Sequence, residues 1–238
     1  MTPLDSVIDD LVAANRILAG LGVLDGFGHV SVRHPERADR YILSRSLAPE
    51  LVTRDDLQTY DLASNVQDGD ARTPYLERFI HGEIYAKRPE VQSVVHSHAA
   101  TVVPFGTTKH PLRPLFHMSS FLRSGAPVFE IRERFGDTDM LVRNSAQGAA
   151  LAETLTGAVV LMRGHGYCAV GATIAEAVFR AYYTQVNADL QQRAIALGGD
   201  EVTYLNEEEA KLSEASNRSV MARPWGLWKA KFSPKEQA

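Results

Sequence analysis

Short strand-like segments rich in β-branched residues alternate with amphipathic helical segments along most of this chain, and this alternation constrains its fold more than any other feature. Apolar residues that recur every three or four positions indicate helices, and short β-branched or alternating runs indicate strands. This order favours an α/β protein in which helices pack in layers against a sheet. The predicted helices span residues 4–21, 74–88 and 173–198, and the predicted strands span residues 29–34, 41–45, 91–95 and 158–162.

Composition excludes several classes of protein. Of the 238 residues, 45% are hydrophobic and the net charge is −4, so the chain can bury a core but offers no basic surface for nucleic acid. The longest apolar runs are too short to span a bilayer, and the acidic N-terminal segment does not resemble a signal peptide. The single cysteine, Cys168, excludes an internal disulfide framework and fits a reducing compartment. We therefore expect a cytoplasmic protein without a membrane or nucleic-acid partner.

Three histidines follow predicted strands. His96 and His98 come directly after the strand at 91–95, and His165 lies between two glycines after the strand at 158–162. Side chains at i and i+2 of an extended segment point to the same side, so the first two imidazoles can converge. Three imidazoles with an open position are typical of a catalytic Zn²⁺ site, and Mn²⁺, Fe²⁺ or Co²⁺ would also accept them. The alternative is a chance pair of histidines with ordinary polar roles.

A glutamate precedes this pair on the predicted helix at 74–88. Glu77, His81 and Tyr85 are spaced four residues apart and therefore share one face of that helix. Glu77 could serve as a fourth metal ligand or as a proton shuttle. The alternative is a half-exposed helix face without a chemical role.

The combined spacing of these residues resembles the metal signature of the class II aldolase/adducin family. The matching segment reads Glu77-x₃-His81-x₃-Tyr85-x₃-Pro89-x₆-His96-x-His98, followed by His165-Gly166 after an apolar strand. The resemblance implies a three-layer α/β/α sandwich around a mixed, largely antiparallel sheet, with residues 1–238 in a single domain and a C-terminal tail from about residue 205. It also implies a cyclic homotetramer with interface active sites, in which the three histidines bind the metal and Glu77 is a ligand or an acid/base.

Departures from the family's sugar-phosphate aldolases occur where those enzymes bind the substrate phosphate. His29 stands where asparagine is usual, the loop reads Leu43-Ser44-Arg45-Ser46, and Tyr75-Leu76 replaces a pair of serines before the glutamate. A phosphate dianion needs several small donors that converge on it. Tyr75 and Leu76 instead offer surface for a flat ring, and Arg45 offers a planar fork for a carboxylate. These departures predict an aromatic carboxylate substrate rather than a sugar phosphate.

A further departure lies at His117. The sugar-phosphate aldolases place a tyrosine near this point, contributed across the subunit interface as a proton donor. Histidine is also a competent donor near neutral pH, so His117 is a candidate acid beside Glu77. The alternative is a surface histidine in a loop.

These departures are similar to those of one branch of the family, the metal-dependent decarboxylases of hydroxylated aromatic dicarboxylates. That branch acts on hydroxypyridine and dihydroxyphthalate compounds in aromatic catabolism and vitamin B6 degradation. It implies removal of the carboxylate ortho to a ring hydroxyl that binds the metal, with the metal stabilising the developing charge. Glu77 or His117 would protonate the ring. The predicted substrate contacts, in addition to the ring contact of Tyr75, are His29, Ser44, Arg45 and Arg163.

Two other functions remain open from the sequence. One is a class II aldolase or epimerase that acts on a sugar or a hydroxy-keto acid with the same metal. The other is a non-catalytic, adducin-like binding module that kept the fold. Retention of all three histidines and of Glu77 argues against the binding module, which has no need of a metal.

Overall fold

The computed structural model of the chain describes residues 2–232. Within this range the α-helices are α1 (Pro3–Gly20), α2 (Arg78–Lys87), α3 (Val103–Thr107), α4 (Ile131–Phe135), α5 (Ser145–Thr154), α6 (Ile174–Gly198), α7 (Glu207–Ser219) and α8 (Ala222–Phe232). The strands are β1 (His29–Arg33), β2 (Arg40–Ser44), β3 (Leu57–Asp61), β4 (Ser93–Ser97), β5 (Val128–Phe129), β6 (Val159–Met162) and β7 (Gly166–Gly171). Short 3-10 helices lie at Pro49–Leu51, Arg54–Asp56, His117–Ser124 and Gly199–Glu201.

The strands form one sheet with the order β3-β2-β1-β4-β7-β6-β5. Every neighbouring pair is antiparallel except β5 and β6, which are parallel. This arrangement confirms the predicted mixed, largely antiparallel sheet, whose pairing directions the sequence pattern left open. The central strands β1, β4 and β7 are neighbours, so residues at their adjoining ends share one edge of the sheet.

Apolar side chains on the two faces of the sheet form two separate cores. Val95 of β4 lies in the core that includes residues of α1 and α6, whereas Val94 lies in the core that includes residues of α2 and α5. Neighbouring residues of a strand point to opposite faces, so each strand contributes to both cores. Helices therefore cover both faces, which confirms the predicted three-layer α/β/α sandwich. His96, two residues beyond Val94, lies on the α2 face.

The end of β4 differs from its prediction. The strand was expected to stop at residue 95, but it continues through His96, which pairs with Cys168 of β7. The reason is tertiary, because the neighbouring strands β1 and β7 both extend far enough to pair with His96. His96 is therefore held rigidly inside the sheet rather than in a loop beyond it.

The start of α2 also differs from its prediction. The helix was expected to open at Pro74, but it begins at Arg78. Pro74 instead forms an extended bridge with Arg45, and the chain then turns before the helix starts. Glu77 consequently occupies the boundary position just before α2, with its side chain directed away from the helix interior toward the sheet edge.

The segment predicted as a tail contains two helices that pack against the rest of the chain. α7 contacts the 3-10 helix His117–Ser124, and α8 contacts α1 and α6. Trp228 of α8 is buried in the core that includes residues of α1 and α6. Residues 233–238 of the predicted tail lie outside the described residues. None of the described helices combines the length and the apolar composition needed to cross a bilayer.

Candidate metal centre and active site

Four side chains converge at one edge of the central strands. The Nε2 atom of His98 lies 3.0 Å from Nε2 of His96 and 3.0 Å from Nε2 of His165. The Oε2 atom of Glu77 lies 3.6 Å from Nε2 of His96 and 3.4 Å from Nε2 of His165. All four candidate ligand atoms lie within 4.8 Å of one another. The structure thus brings together the three predicted ligands and the predicted neighbouring glutamate.

The register of the sheet positions the first two histidines. His96 of β4 lies opposite His29 of β1 on one side and Cys168 of β7 on the other. Its ring is fully buried on the α2 face. His98 follows the last residue of β4, and the two-residue period of an extended chain brings its ring to the same side as that of His96.

His165 is carried by the tight turn between β6 and β7, where two glycines are required. Gly164 has a φ of 64°, in the left-handed region that glycine adopts without steric cost. A Cβ atom on Gly166 would lie 2.1 Å from the carbonyl oxygen of Ser97, so a larger residue would displace the turn from β4. The glycines therefore permit the close approach that places His165 beside His98.

Backbone carbonyl groups orient two of the imidazoles. The Nδ1 atom of His96 lies 3.2 Å from the carbonyl oxygen of Tyr167, and the Nδ1 atom of His165 lies 3.0 Å from that of Met140. A carbonyl oxygen only accepts hydrogen bonds, so both Nδ1 atoms carry the proton. The Nε2 atoms of both rings are directed toward the centre of the cluster, as in metal sites whose ligands are held by outer hydrogen bonds.

The charge of Glu77 complements the imidazoles. The backbone N–H of Val142 donates to Oε1 of Glu77 at 2.9 Å, which turns Oε2 toward the histidines. Burial alone would raise the pKa of Glu77, but hydrogen bonds with His165 and His96 hold this pKa well below its usual range. Burial would likewise lower the pKa of His165, yet its hydrogen bond with Glu77 raises it overall. Burial and the nearby His96 lower the pKa of His98 to about 4.

The donor set and its spacing fit a divalent metal ion. In a tetrahedral site with bonds of roughly 2.0–2.2 Å, neighbouring ligand atoms are about 3.4 Å apart. The four short separations in the cluster run from 3.0 to 3.6 Å, on either side of that value. Imidazole nitrogen with one carboxylate oxygen suits Zn²⁺, Mn²⁺ and Fe²⁺. The described residues therefore contain a Glu–His₃ cluster with the chemistry and the spacing of a metal site.

An open cleft of about 440 Å³ adjoins the cluster. Its polar side chains are those of His29, Ser46, Tyr75, Glu77 and His98. Its apolar surface comes from Phe27, Leu47, Ala48, Leu76 and Leu141. Phe27 is 72% exposed and Leu76 is 56% exposed, so large apolar side chains flank the opening. Such a cleft suits a flat apolar ring whose polar groups face the cluster.

Both arginines predicted to bind a second carboxylate are paired with acidic side chains of the protein. Nε of Arg45 donates to Asp56 at 2.8 Å, and Arg163 donates two hydrogen bonds to Glu130, at 2.6 and 2.9 Å. None of the cleft-lining residues between positions 2 and 232 is an arginine or a lysine. The structure does not bring these two arginines to the cleft wall, because nearer carboxylates hold them elsewhere, and their role in binding stays a prediction.

The other three predicted contacts occupy different positions. His29 and Tyr75 line the cleft, with ring centroids 4.6 Å apart. Ser44 is fully buried behind Tyr75 and donates to its hydroxyl oxygen at 3.4 Å, while the Tyr75 hydroxyl donates to the carbonyl group of Leu47. Burial raises the pKa of Tyr75. Ser44 therefore supports Tyr75 instead of facing the cleft, because β2 carries its side chain into the interior.

His117 lies apart from this site within the described chain. It begins the 3-10 helix that contacts α7, and its backbone carbonyl accepts a hydrogen bond from Asn217 at 2.7 Å. Its side chain is exposed, and it neither joins the Glu–His₃ cluster nor lines the cleft. Its predicted role as an acid depends on the predicted tetramer, in which it would serve a neighbouring subunit, and stays a prediction.

Sequence reasoning missed the residues that hold the predicted ones in place. Met140 and Val142 contribute only backbone atoms to the site, so no side-chain pattern could have identified them. Asp56 and Glu130 occur in charged segments without a distinguishing spacing. His81 was singled out only for its spacing from Glu77, and that signal did not reveal its contact with β1.

Comparisons with known proteins agree with the fold. Residues 9–192 match the family described as class II aldolase and adducin N-terminal domain. The decarboxylase tropJ of Talaromyces stipitatus is 43% identical, with 95% of this chain and 94% of that protein covered. The 3,4-dihydroxyphthalate decarboxylase of Terrabacter is 29% identical, with 84% and 86% covered. The structure of L-fuculose 1-phosphate aldolase from Glaciozyma antarctica shares the fold, with a TM-score of 0.75 and 24% identity over 98% of this chain and 93% of that one.

The relatives also decide between the classes of function that the sequence left open. Two curated relatives that cover 84% or more of the chain are decarboxylases, so the chain is an enzyme of the carboxy-lyase type rather than a binding module. The match over residues 9–192 confirms the resemblance that the histidine spacing indicated. The chain belongs to the class II aldolase and adducin family.

Proposed function

We propose that this chain is a metal-dependent decarboxylase of a hydroxylated aromatic acid, and that it removes the carboxylate ortho to a ring hydroxyl. The observation that carries the proposal is the Glu–His₃ cluster, which opens directly into a cleft with apolar walls. Relatives that are decarboxylases, one of them named for 3,4-dihydroxyphthalate, support the same class of reaction.

The proposed ion is Mn²⁺ or Zn²⁺, with Fe²⁺ and Co²⁺ chemically acceptable. His96, His98 and His165 would hold it, with Glu77 as a fourth ligand or directly beside it. A bound divalent ion would supply Lewis-acid stabilisation of the negative charge that develops as the carbon–carbon bond breaks. The carbonyl partners of His96 and His165 already direct both Nε2 atoms at the site, so little reorganisation is needed.

Glu77 is the proposed proton carrier. Its Oε1 atom accepts the backbone N–H of Val142, so Oε2 is the atom available for exchange. Because its pKa lies well below the usual range, Glu77 enters the reaction as a carboxylate. It would take the proton of the ring hydroxyl as the substrate binds and return it to the ring carbon that loses CO₂. His117 from a neighbouring subunit is the alternative donor.

The cleft walls support an aromatic ring over a sugar phosphate. Tyr75 and Leu76 stand where a phosphate site would need small donors, and they offer apolar surface on one side of the cleft. Phe27 offers a second apolar surface at the opening. A phosphate dianion placed there would lose hydration without gaining enough hydrogen bonds, which is costly for a charged group.

The paired arginines bear on whether the substrate carries a second carboxylate. Arg45 and Arg163 already bind Asp56 and Glu130, so a second carboxylate would have to compete with those acids. We therefore expect acids with a single carboxylate to be substrates alongside the predicted dicarboxylates. If either arginine did hold a second carboxylate, removing that arginine would cost about 2–3 kcal/mol of substrate-binding free energy. That free energy corresponds to a rise of about 30- to 150-fold in KM.

A panel of acids tests the reaction. The metal-loaded protein would be incubated with ortho- and para-hydroxybenzoates, with hydroxylated benzene and pyridine dicarboxylates, and with L-fuculose 1-phosphate. We expect CO₂ only from acids with an ortho hydroxyl, measured directly and by mass spectrometry of the products. Cleavage of the sugar phosphate without CO₂ from any aromatic acid would make the aldolase alternative correct.

Arginine variants test the second carboxylate on the same panel. Arg45→Ala and Arg163→Ala should leave KM for a monocarboxylate nearly unchanged, which serves as the matched control. A large rise in KM confined to dicarboxylates would restore the predicted arginine site. Similar KM values for both kinds of acid would support recognition without a second carboxylate.

A further inference from the structure

A buried chain of hydrogen bonds leads from the cleft to helix α2. Nδ1 of His29 lies 2.6 Å from Nε2 of His81, and Nδ1 of His81 lies 2.6 Å from Oγ of Ser31. Oγ of Ser31 lies 2.8 Å from the hydroxyl of Tyr85. None of the four side chains is more than 4% exposed. His81 and Tyr85 are one turn apart on α2, and His29 and Ser31 are two residues apart on β1, so the two pairs face each other.

Tyr85, the last member of this series of hydrogen bonds, sets the direction of all of them. Within residues 2–232, Ser31 Oγ is the only acceptor at hydrogen-bond distance from the Tyr85 hydroxyl. A buried O–H group without an acceptor costs about 1–3 kcal/mol, so Tyr85 donates to Ser31. The single hydrogen of Ser31 then donates to Nδ1 of His81. His81 must therefore carry its own proton on Nε2 and donate it to Nδ1 of His29.

This direction determines which nitrogen of His29 carries a proton. Burial and the nearby His96 lower the pKa of His81 to about 3, so His81 has only one ring proton near neutral pH. Because Nδ1 of neutral His29 accepts, its proton lies on Nε2. No described side chain or carbonyl group accepts from that nitrogen. The ring lines the cleft between Tyr75 and His96, with centroid distances of 4.6 and 5.1 Å.

We infer that His29 presents an Nε2–H donor to an oxygen of the substrate, and that His81, Ser31 and Tyr85 are positioning residues that fix this tautomer. The inference rests on the proposed function, since the oxygen belongs to an aromatic acid in the cleft. The opposite tautomer would present a lone pair and repel a carboxylate or phenolate oxygen. A fixed neutral donor thus recognises an anionic oxygen in a wall that, among the described residues, has no cationic side chain.

The first test reads the tautomer directly. ¹⁵N NMR of histidine-labelled protein, metal-free and loaded with Zn²⁺, distinguishes a protonated ring nitrogen from an unprotonated one. The His29 signals are identified by their loss in His29→Gln. We expect the proton on Nε2 in the unchanged protein and a mixture of tautomers in Ser31→Ala, because Nδ1 of His81 then loses the donor that keeps it unprotonated. A proton on Nδ1 of His29 in the unchanged protein would overturn the inference.

A matched control accompanies this test. Tyr60 is also fully buried, and its hydroxyl donates to Oε1 of Gln58 at 2.6 Å, outside the chain from His29 to Tyr85. Tyr60→Phe therefore removes a buried hydroxyl without changing any of the hydrogen bonds between His29 and Tyr85. We expect the His29 signals of Tyr60→Phe to match those of the unchanged protein. A tautomer mixture in this control as large as in Ser31→Ala would mean that general loosening of the core, rather than the hydrogen-bond chain, sets the tautomer.

The second test separates positioning from a structural role. His81→Leu removes the donor to His29 and should lower kcat/KM about ten-fold, mainly through KM, because the contact exists before and during the reaction. In a His29→Gln background the same change should cost less than about two-fold, because the glutamine amide carries its own N–H. Equal losses in both backgrounds would overturn the positioning role. If His81→Leu does not fold, Ser31→Ala replaces it, with a loss of about two-fold expected only where His29 is present.

Failure of the proposed function would look different from failure of this inference. The unchanged protein would then release no CO₂ from any aromatic acid, while the His29 ring would still show its proton on Nε2. Failure of the inference would show a proton on Nδ1, or equal losses in both backgrounds, in an enzyme that does release CO₂.

Discussion

Removal of the metal should lower the stability of the folded chain by an amount set by the free metal concentration relative to Kd. Without an ion, the cluster places Nε2 of His98 3.0 Å from Nε2 of His96 and 3.0 Å from Nε2 of His165, beside a buried carboxylate. An ion that binds only the folded state stabilises it by about 4 kcal/mol when its free concentration is about 1,000 times Kd. For a chain of this length, 1 kcal/mol shifts Tm by about 2–4 °C. The expected shift is therefore about 8–16 °C.

The assay is thermal unfolding by circular dichroism after treatment with a chelator, followed by titration with Zn²⁺ or Mn²⁺. His98→Ala is the informative variant, because the hydrogen bonds of the His98 side chain within the described chain are only to the other two histidines. Its metal-dependent shift should vanish. His110→Ala, which changes an exposed histidine outside the cluster, is the matched control and should keep the full shift. Identical Tm values with and without metal, together with less than one ion per chain, would refute the metal site.

The same site gives three further expectations. Glu77→Gln should lower kcat by about 10²-fold or more with a smaller change in KM, because a proton carrier acts mainly in the transition state; an unchanged kcat at full metal content would exclude this role. Burial and the nearby His96 lower the pKa of His81 from 6.5 to about 3 in the folded state, so the unfolded state binds more protons in that window. His81 alone should therefore lower the stability of the metal-free protein by about 1.4 kcal/mol per pH unit below pH 6.5. Urea unfolding at pH 7 and pH 4.5 measures this loss, which should be smaller in His81→Gln. The chain should form a cyclic homotetramer, with a mass by light scattering near four times 26.2 kDa at micromolar concentration. In such a tetramer, His117→Ala should lower kcat. A fully active monomer would contradict both expectations.

Features that depend on local geometry could be predicted from the sequence. The pair His96-x-His98 needs only the two-residue period of an extended chain to bring both rings to one side. His165 sits between glycines because its turn approaches the backbone of β4, and the glycines are visible in the sequence as a signal for such a turn. The alternation of strands and helices indicated the layered fold, since each element must bury one apolar side. The position of Glu77 beside the cluster followed from family spacing, although its helix begins later than expected.

The partners of charged side chains could not be predicted in the same way. Arg45 and Arg163 are long, flexible side chains, and the sequence indicates only that each carries a guanidinium group. Which acid lies within reach depends on how loops fold against the sheet. In the structure those acids are Asp56 and Glu130, so the arginines contribute to the loops instead of the cleft wall.

His81 illustrates why some features could be predicted from the sequence and others could not. A helical period determines which side chains share a face, because the rotation per residue is a local property of the backbone. The sequence by itself placed His81 and Glu77 on one side of the predicted helix, and it indicated His96, His98 and His165 as candidate metal ligands. What covers a helix face depends on contacts between distant segments, which no local period encodes. Only the tertiary structure decided that β1 brings His29 against His81, and with it which nitrogen of His29 carries the proton that faces the cleft.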